Sequence, residues 1–144
     1  MSTVIKLNFP AVLALATASV ALTVGLAASA YTIDLASAGG LGEYLVDQDG
    51  MTLYYSARDD PGSGSSSCGD ACIQSWPPFH TGQIIIPVDL SSFDFGTISR
   101  EDGSVQTTYK GWPLYYYVGD YVPGEINGHG MDGIWFAAGP NLMP

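Results

Sequence analysis

The chain has 144 residues, a net charge of −10 and a composition that is 47% hydrophobic. Fourteen acidic residues against four basic ones repel phosphate backbones and anionic headgroups, which excludes nucleic acid as a partner. With the apolar N-terminus set aside, roughly 110 residues remain, enough for one domain with one core.

No charged residue lies between Lys6 and Asp34, and Pro10 to Ala30 is nearly all Ala, Leu, Val, Thr and Gly. Such a stretch is an export signal or a membrane span. Ala28-Ser29-Ala30 supplies a small-x-small cleavage site for the first reading. A length of about 20 apolar residues suits the second. Thr17, Ala21, Gly25 and Ser29 recur every fourth residue and would line one helix face with small side chains, allowing close packing against another membrane helix. The expectation is a helical anchor within residues 1–36, with cleavage after Ala30 as the alternative. Lys6 on the short N-terminal side places the remainder, 37–144, outside the cytoplasm.

Beyond Ala36 the chain reads as β, in short runs of Tyr, Val, Ile, Thr and Phe cut by Gly, Asp, Asn and Pro. Residues 43–47 and 51–56 flank Gln48-Asp49-Gly50, where Asp-Gly accepts the positive φ of a tight hairpin turn. Cys68 and Cys72 follow a Gly/Ser-rich loop. Two thiols this close pair in an exported domain, and so small a ring shapes a turn more than it holds a fold. Trp76-Pro-Pro-Phe79 is a stiff aromatic segment suited to capping a core. Residues 97–100 and 104–108 flank Glu101-Asp102-Gly103, and Tyr109-Lys-Gly-Trp112 turns the chain into a strand over 113–118, making the second half a meander. Alternation puts Leu114 and Tyr116 on one face of that strand and Tyr115 and Tyr117 on the other, and Leu53 with Tyr55 against Tyr54 repeats the arrangement. A last strand covers 134–138.

Two of these runs carry one message. Gly50-Met-Thr-Leu-Tyr-Tyr-Ser-Ala-Arg-Asp-Asp-Pro-Gly62 is echoed by Gly111-Trp-Pro-Leu-Tyr-Tyr-Tyr-Val-Gly-Asp-Tyr-Val-Pro-Gly124. The expected fold is therefore mainly β: a single small domain built from two related β-meander repeats, about 43–80 and 97–140, preceded by one N-terminal apolar helix.

The second copy, Tyr115-Tyr-Tyr117-Val-Gly-Asp120, resembles the Tyr-x-(Phe/Trp/Tyr)-x-x-Asp motif of exported lipoproteins and secreted repeat domains of unknown function. In the first copy Tyr54 and Asp59 match, and Ser56 stands in the aromatic place. The Cys68/Cys72 pair followed by Trp76-Pro-Pro, and Gly133-Ile-Trp-Phe136, fit the same resemblance, which runs from about Glu43 to Pro140. It implies an exported β domain and no established activity. Members are commonly tethered through a lipidated cysteine; none stands near this N-terminus, so a helical tether is expected instead.

Candidate chemistry is sparse. Asp59 and Asp120 occupy matching strand exits and are expected to serve their own loops as Asx turns, with a shared cation site as the alternative. Asp47-Gln-Asp49-Gly50 starts like a calcium loop, but Arg58 occupies the twelfth position where a Glu is required. His129 and Met131 in a Gly-rich loop, with His80 and Met143 as helpers, could ligate copper or haem. No catalytic constellation is evident, and no cofactor is expected, calcium and copper being the ones considered. The functional expectation is a non-enzymatic, membrane-anchored accessory or binding subunit whose exposed tyrosines contact other membrane or surface proteins. A freely secreted surface protein, and a metal or redox protein using the His129 loop, are the alternatives.

Overall fold

The computed structural model describes residues 16–21 and 30–144. Residues 16–21 are exposed and form neither helix nor strand, and among the described residues no helix is long and apolar enough to cross a membrane. Of the expected helix face, Thr17 and Ala21 fall in this exposed stretch, which carries no helix. Gly25, Ser29 and the rest of the expected anchor lie outside the described residues.

Seven short strands follow: β1 (Ile33–Ala38), β2 (Gly42–Asp47), β3 (Tyr54–Ser56), β4 (Phe95–Ser99), β5 (Val105–Tyr109), β6 (Trp112–Pro113) and β7 (Trp135–Ala137). The β domain begins at Ile33, inside the segment assigned to the anchor. Ile33-Asp-Leu-Ala-Ser-Ala38 is short and its four apolar residues include two alanines, so its pattern is hidden behind the long apolar run before it. It pairs antiparallel with β2 from Ile33↔Asp47 to Ala38↔Gly42. The second copy builds the counterpart, β4-β5-β6, with Phe95↔Tyr109 and Tyr109↔Trp112 in register. The turns are those the sequence implies. Gly50 has φ +80° and Gly103 φ +82°, while the Asp47 Oδ1 accepts the Asp49 and Met51 N–H groups at 2.9 Å each.

The two copies are interlocked rather than adjacent. β7, at the end of the second copy, pairs with β3 of the first through Tyr54↔Ala137 and Ser56↔Trp135. The end of the first copy crosses the other way: Pro78 bridges Tyr115, and the Tyr116 N–H donates to the Pro77 carbonyl at 2.8 Å. Three segments meet in each half through a closed ring of backbone bonds. In one, Leu53 N–H donates to Leu45, Leu45 N–H to Ala138 and Ala138 N–H to Leu53, at 2.9, 2.7 and 2.9 Å. In the other, Leu114 donates to Thr107, Thr107 to Phe79 and Phe79 to Leu114, at 3.0, 2.8 and 2.9 Å. The strands expected over 51–56 and 113–118 are cut short because the chain leaves one partner for another at these rings. The repeated Gly and Pro-Gly are explained by the same exchange. The Gly124 N–H donates to the Gly50 carbonyl at 3.3 Å, and the Gly62 N–H to Gly111 at 3.1 Å, each across copies. A Cβ at Gly111, where φ is +84°, would lie 2.7 Å from the Gly62 nitrogen.

Period-two alternation splits the core into two clusters. Leu53 and Leu114 join Ile33, Leu45, Phe79, Leu90 and Tyr109, with Tyr55 and Tyr116 packed against them. Tyr54 and Tyr115 join Tyr44, Val46, Trp76 and Trp135, with Tyr117 alongside. The Cys68–Cys72 disulfide is formed with Cα atoms 5.1 Å apart, and the Arg100 Nη2 donates to the Cys68 carbonyl at 2.5 Å, so that loop is tied to the second copy.

Each half lacks a strand that only the other copy supplies. Cleavage in the exposed loop between Val88 and Asp89 should therefore leave two fragments that lack fixed aromatic packing alone and regain it when mixed. Near-UV circular dichroism reads the result; an isolated fragment with native-like signal would contradict the interlock.

Candidate functional site

The residues singled out by the repeat converge on the crossing point. Tyr54 and Tyr115 exchange both backbone bonds, Tyr54 N–H to Tyr115 at 2.8 Å and the return at 2.9 Å, and so mark the pseudo-twofold axis. Their rings then reach into the opposite copy. The Tyr54 hydroxyl donates to the Asp120 Oδ2 at 2.6 Å, and the Tyr115 hydroxyl to the Asp59 Oδ2 at 2.8 Å. The second oxygen of each aspartate orders its own loop: Asp59 Oδ1 accepts the Ser67 N–H at 2.6 Å and its hydroxyl at 2.7 Å, while Asp120 Oδ1 accepts the Asn127 N–H at 2.9 Å. Each loop returns a bond to the tyrosine, with the Gly128 N–H on the Tyr54 oxygen at 3.2 Å and the Ser66 hydroxyl 2.5 Å from that of Tyr115. A third tyrosine, Tyr116, donates to the Asp47 Oδ2 at 2.7 Å.

Around this cradle lies an aromatic stack. Trp76 and Trp135 are parallel at 3.9 Å with 5° between planes, and Tyr117 covers the far side of Trp76 at 4.4 Å. Tyr54 meets Trp76 edge-on at 5.5 Å and Tyr115 meets Trp135 edge-on at 5.1 Å, again in twofold fashion. The symmetry fails at one place. Ser56 is the counterpart of Tyr117, and no ring stacks on Trp135 from that side among the described residues.

Electrostatics follow from burial. Desolvation raises the Asp120 carboxyl above its ordinary range, against the lowering pull of the Tyr54 and Asn127 donors. The Tyr54 phenol is pushed far up, first by burial and then by its bond to Asp120. Burial also raises Tyr115, reinforced by the Asp59 charge, and Tyr116, reinforced by Asp47.

The remaining candidate residues have separate neighbours. The His129 Nδ1 accepts the Ala137 N–H at 3.1 Å with its ring against Phe136, Met131 packs at the Trp cluster, and His80 is exposed with Nδ1 3.4 Å from the Thr107 hydroxyl. Met143 is exposed and its carbonyl accepts the Trp112 indole N–H at 2.6 Å. Among the described residues no group of three or more His, Cys, Asp or Glu is placed to hold a metal ion. Asp59 and Asp120 each bond their own loop and the other copy's tyrosine. Of the tyrosines, Tyr44, Tyr54, Tyr109 and Tyr115 are buried and Tyr121 is strongly exposed. A tyrosine with a carboxylate to receive its hydroxyl can enter a core, and sequence alternation alone does not reveal that receiver. The Trp76/Trp135 pairing has one sequence signal, the matching places of the two tryptophans near the ends of their copies.

A family model described as a secreted repeat of unknown function matches the chain twice, over residues 37–80 and 96–139. No curated protein and no solved structure matches it. The matching family is a secreted one, which places the domain outside the cell, and the disulfide accords with that oxidising setting.

Tyr54→Phe leaves the buried Asp120 carboxylate short of a donor and should cost about 2–3 kcal/mol in chemical denaturation. Asp120→Asn should lower thermal stability with no change in metal content; loss of bound Ca²⁺ on that substitution would reinstate the cation reading. The pH dependence has a definite sign. Tyr54, Tyr115 and Tyr116 keep their protons more tightly folded than unfolded, so the stability they confer is full below the ordinary tyrosine value of about 10 and falls as pH rises beyond it. Phenolate absorbance should therefore grow in step with unfolding at alkaline pH, and early ionisation of all nine tyrosines in a folded chain would contradict the cradle.

Proposed function

The chain belongs to this family of secreted repeats, and on that premise we propose that it is a non-enzymatic, membrane-anchored module that binds or braces a partner in a larger membrane or surface assembly. The carrying observation is that the motif's own polar groups are engaged by the fold. Both motif aspartates receive tyrosine hydroxyls and loop donors, and His129 holds the Ala137 N–H. What remains is a rigid interlocked scaffold with a strongly acidic surface, suited to recognising basic patches on another protein. Anchoring is favoured by the apolar stretch from Pro10 to Ala30 and by the geometry just after it. Thr32 already donates its N–H to the Ile85 carbonyl at 2.8 Å, so the ordered domain starts two residues beyond Ala30. The same observation supports the second reading, free secretion, since cleavage after Ala30 would leave β1 whole.

Gentle detergent extraction of native membranes, followed by identification of co-purifying proteins and the intact mass of this chain, tests the proposal. The expected result is a stoichiometric membrane partner and a mass that includes the apolar segment. A chain beginning at Tyr31 would favour free secretion, and a solitary protein would remove the accessory role.

A further inference from the structure

The two copies are joined by a strap, residues 82–93, that crosses the first apolar cluster. Ile84, Ile86 and the buried Leu90 turn in against that cluster, which holds Ile33, Leu45 and Phe79. Ile85, Val88 and Phe93 turn the other way and are 44%, 97% and 98% exposed. We propose, resting on the anchored reading above, that this outer face of the strap lies on the lipid bilayer and seats its apolar side chains among the headgroups, as apolar faces of surface-bound segments do.

The apolar N-terminal stretch delivers the chain to this strap. It ends at Ala30, and Thr32 is bonded to the strap three times over. The Thr32 N–H donates to the Ile85 carbonyl at 2.8 Å, its hydroxyl donates to the Gln83 carbonyl at 2.7 Å, and the Ile85 N–H donates back to that hydroxyl at 2.9 Å. Two residues of extended chain span at most about 7 Å. A segment inserted up to Ala30 therefore holds Ile85 against the membrane surface.

The exposed side chains are also held out by the backbone. Val88 stands in a turn closed by the Leu90 N–H on the Pro87 carbonyl, and Phe93 in one closed by the Asp94 N–H on the Ser91 carbonyl, both at 3.1 Å. Turn corners ordinarily carry Gly, Pro, Asn, Asp or Ser. Here each lifts an apolar side chain clear of the protein. Charge points the same way. Residues 71–88 form the longest run without Asp, Glu, Lys or Arg after Asp34, and 133–144 form the next longest. The strap continues the first run, and the second returns beside it, since Phe93 and Pro144 line one cavity and Met143 is exposed as well. Asp89 and Asp94 on the strap keep this face at the headgroup level, and a chain of net charge −10 favours zwitterionic over anionic lipid.

Reconstitution of the full-length chain into phosphatidylcholine vesicles, with and without bromine on the acyl chains, tests the placement. Flotation reads the anchor, and tryptophan quenching reads the strap. Val88→Trp and Phe93→Trp each add a reporter outside the core, its signal being the difference from the unsubstituted chain. Val118→Trp is the control, because Val118 follows Tyr117 of the other apolar cluster and donates its N–H to Ser75. The expected result is a floating chain in which the tryptophans added at Val88 and Phe93 are quenched at least about twofold more than the one added at Val118, as side chains reaching about 5–10 Å into the headgroup boundary would be. A floating chain with no added quenching at Val88 and Phe93 overturns the strap contact and leaves the anchor standing. A chain that does not float removes the anchor and the contact with it. Equal quenching at all three positions overturns the orientation.

Discussion

The structure depends on one reciprocal contact, the meeting of Tyr54 and Tyr115 at the pseudo-twofold axis. Two backbone bonds join the residues, and each side chain then crosses to a carboxylate of the opposite copy. A buried carboxylate without donors is costly, and a buried phenol without an acceptor is costly too. Here each loop supplies donors to one oxygen of its own carboxylate, and the opposite copy's tyrosine supplies the other. The consequence is coupling: the exit loops around Asp59 and Asp120 are each tied to the opposite copy as well as to themselves.

The backbone repeats the same logic on a larger scale. The two hydrogen-bonded rings of Leu45, Leu53 and Ala138, and of Thr107, Leu114 and Phe79, each draw two members from one copy and one from the other. Strands of two to six residues are too short to hold sheets by length. The fold is instead stabilised by interlocking, by the two apolar clusters and by the parallel tryptophans at its centre. The disulfide contributes little chain entropy for a ring this small, but with the Arg100 guanidinium it fixes the loop that precedes Trp76.

Much of this was readable from the sequence where the physics is local. Asp49-Gly50 and Asp102-Gly103 announce hairpin turns because they supply a positive φ, and the alternation of Leu114, Tyr115 and Tyr116 announces which side chain joins which cluster. The reciprocity was not readable. A tyrosine five residues before an aspartate looks the same whether the pair bonds within a copy or across two, and only the register of the crossing decides. The acceptors of the Tyr54 and Tyr115 hydroxyls lie more than fifty residues away, beyond the reach of any local pattern. β1 was missed because its few apolar residues follow a far stronger apolar signal.

The mismatch between Ser56 and Tyr117 has a meaning that depends on the two copies sharing one polypeptide. In a dimer of separate identical chains every replacement appears twice, so removing a ring from one end of the tryptophan pair would remove it from both. Covalent linkage of the halves lifts that restriction. One half can keep the complete stack as ballast for the core while the other specialises, and asymmetry becomes a property the molecule can hold without loosening its frame.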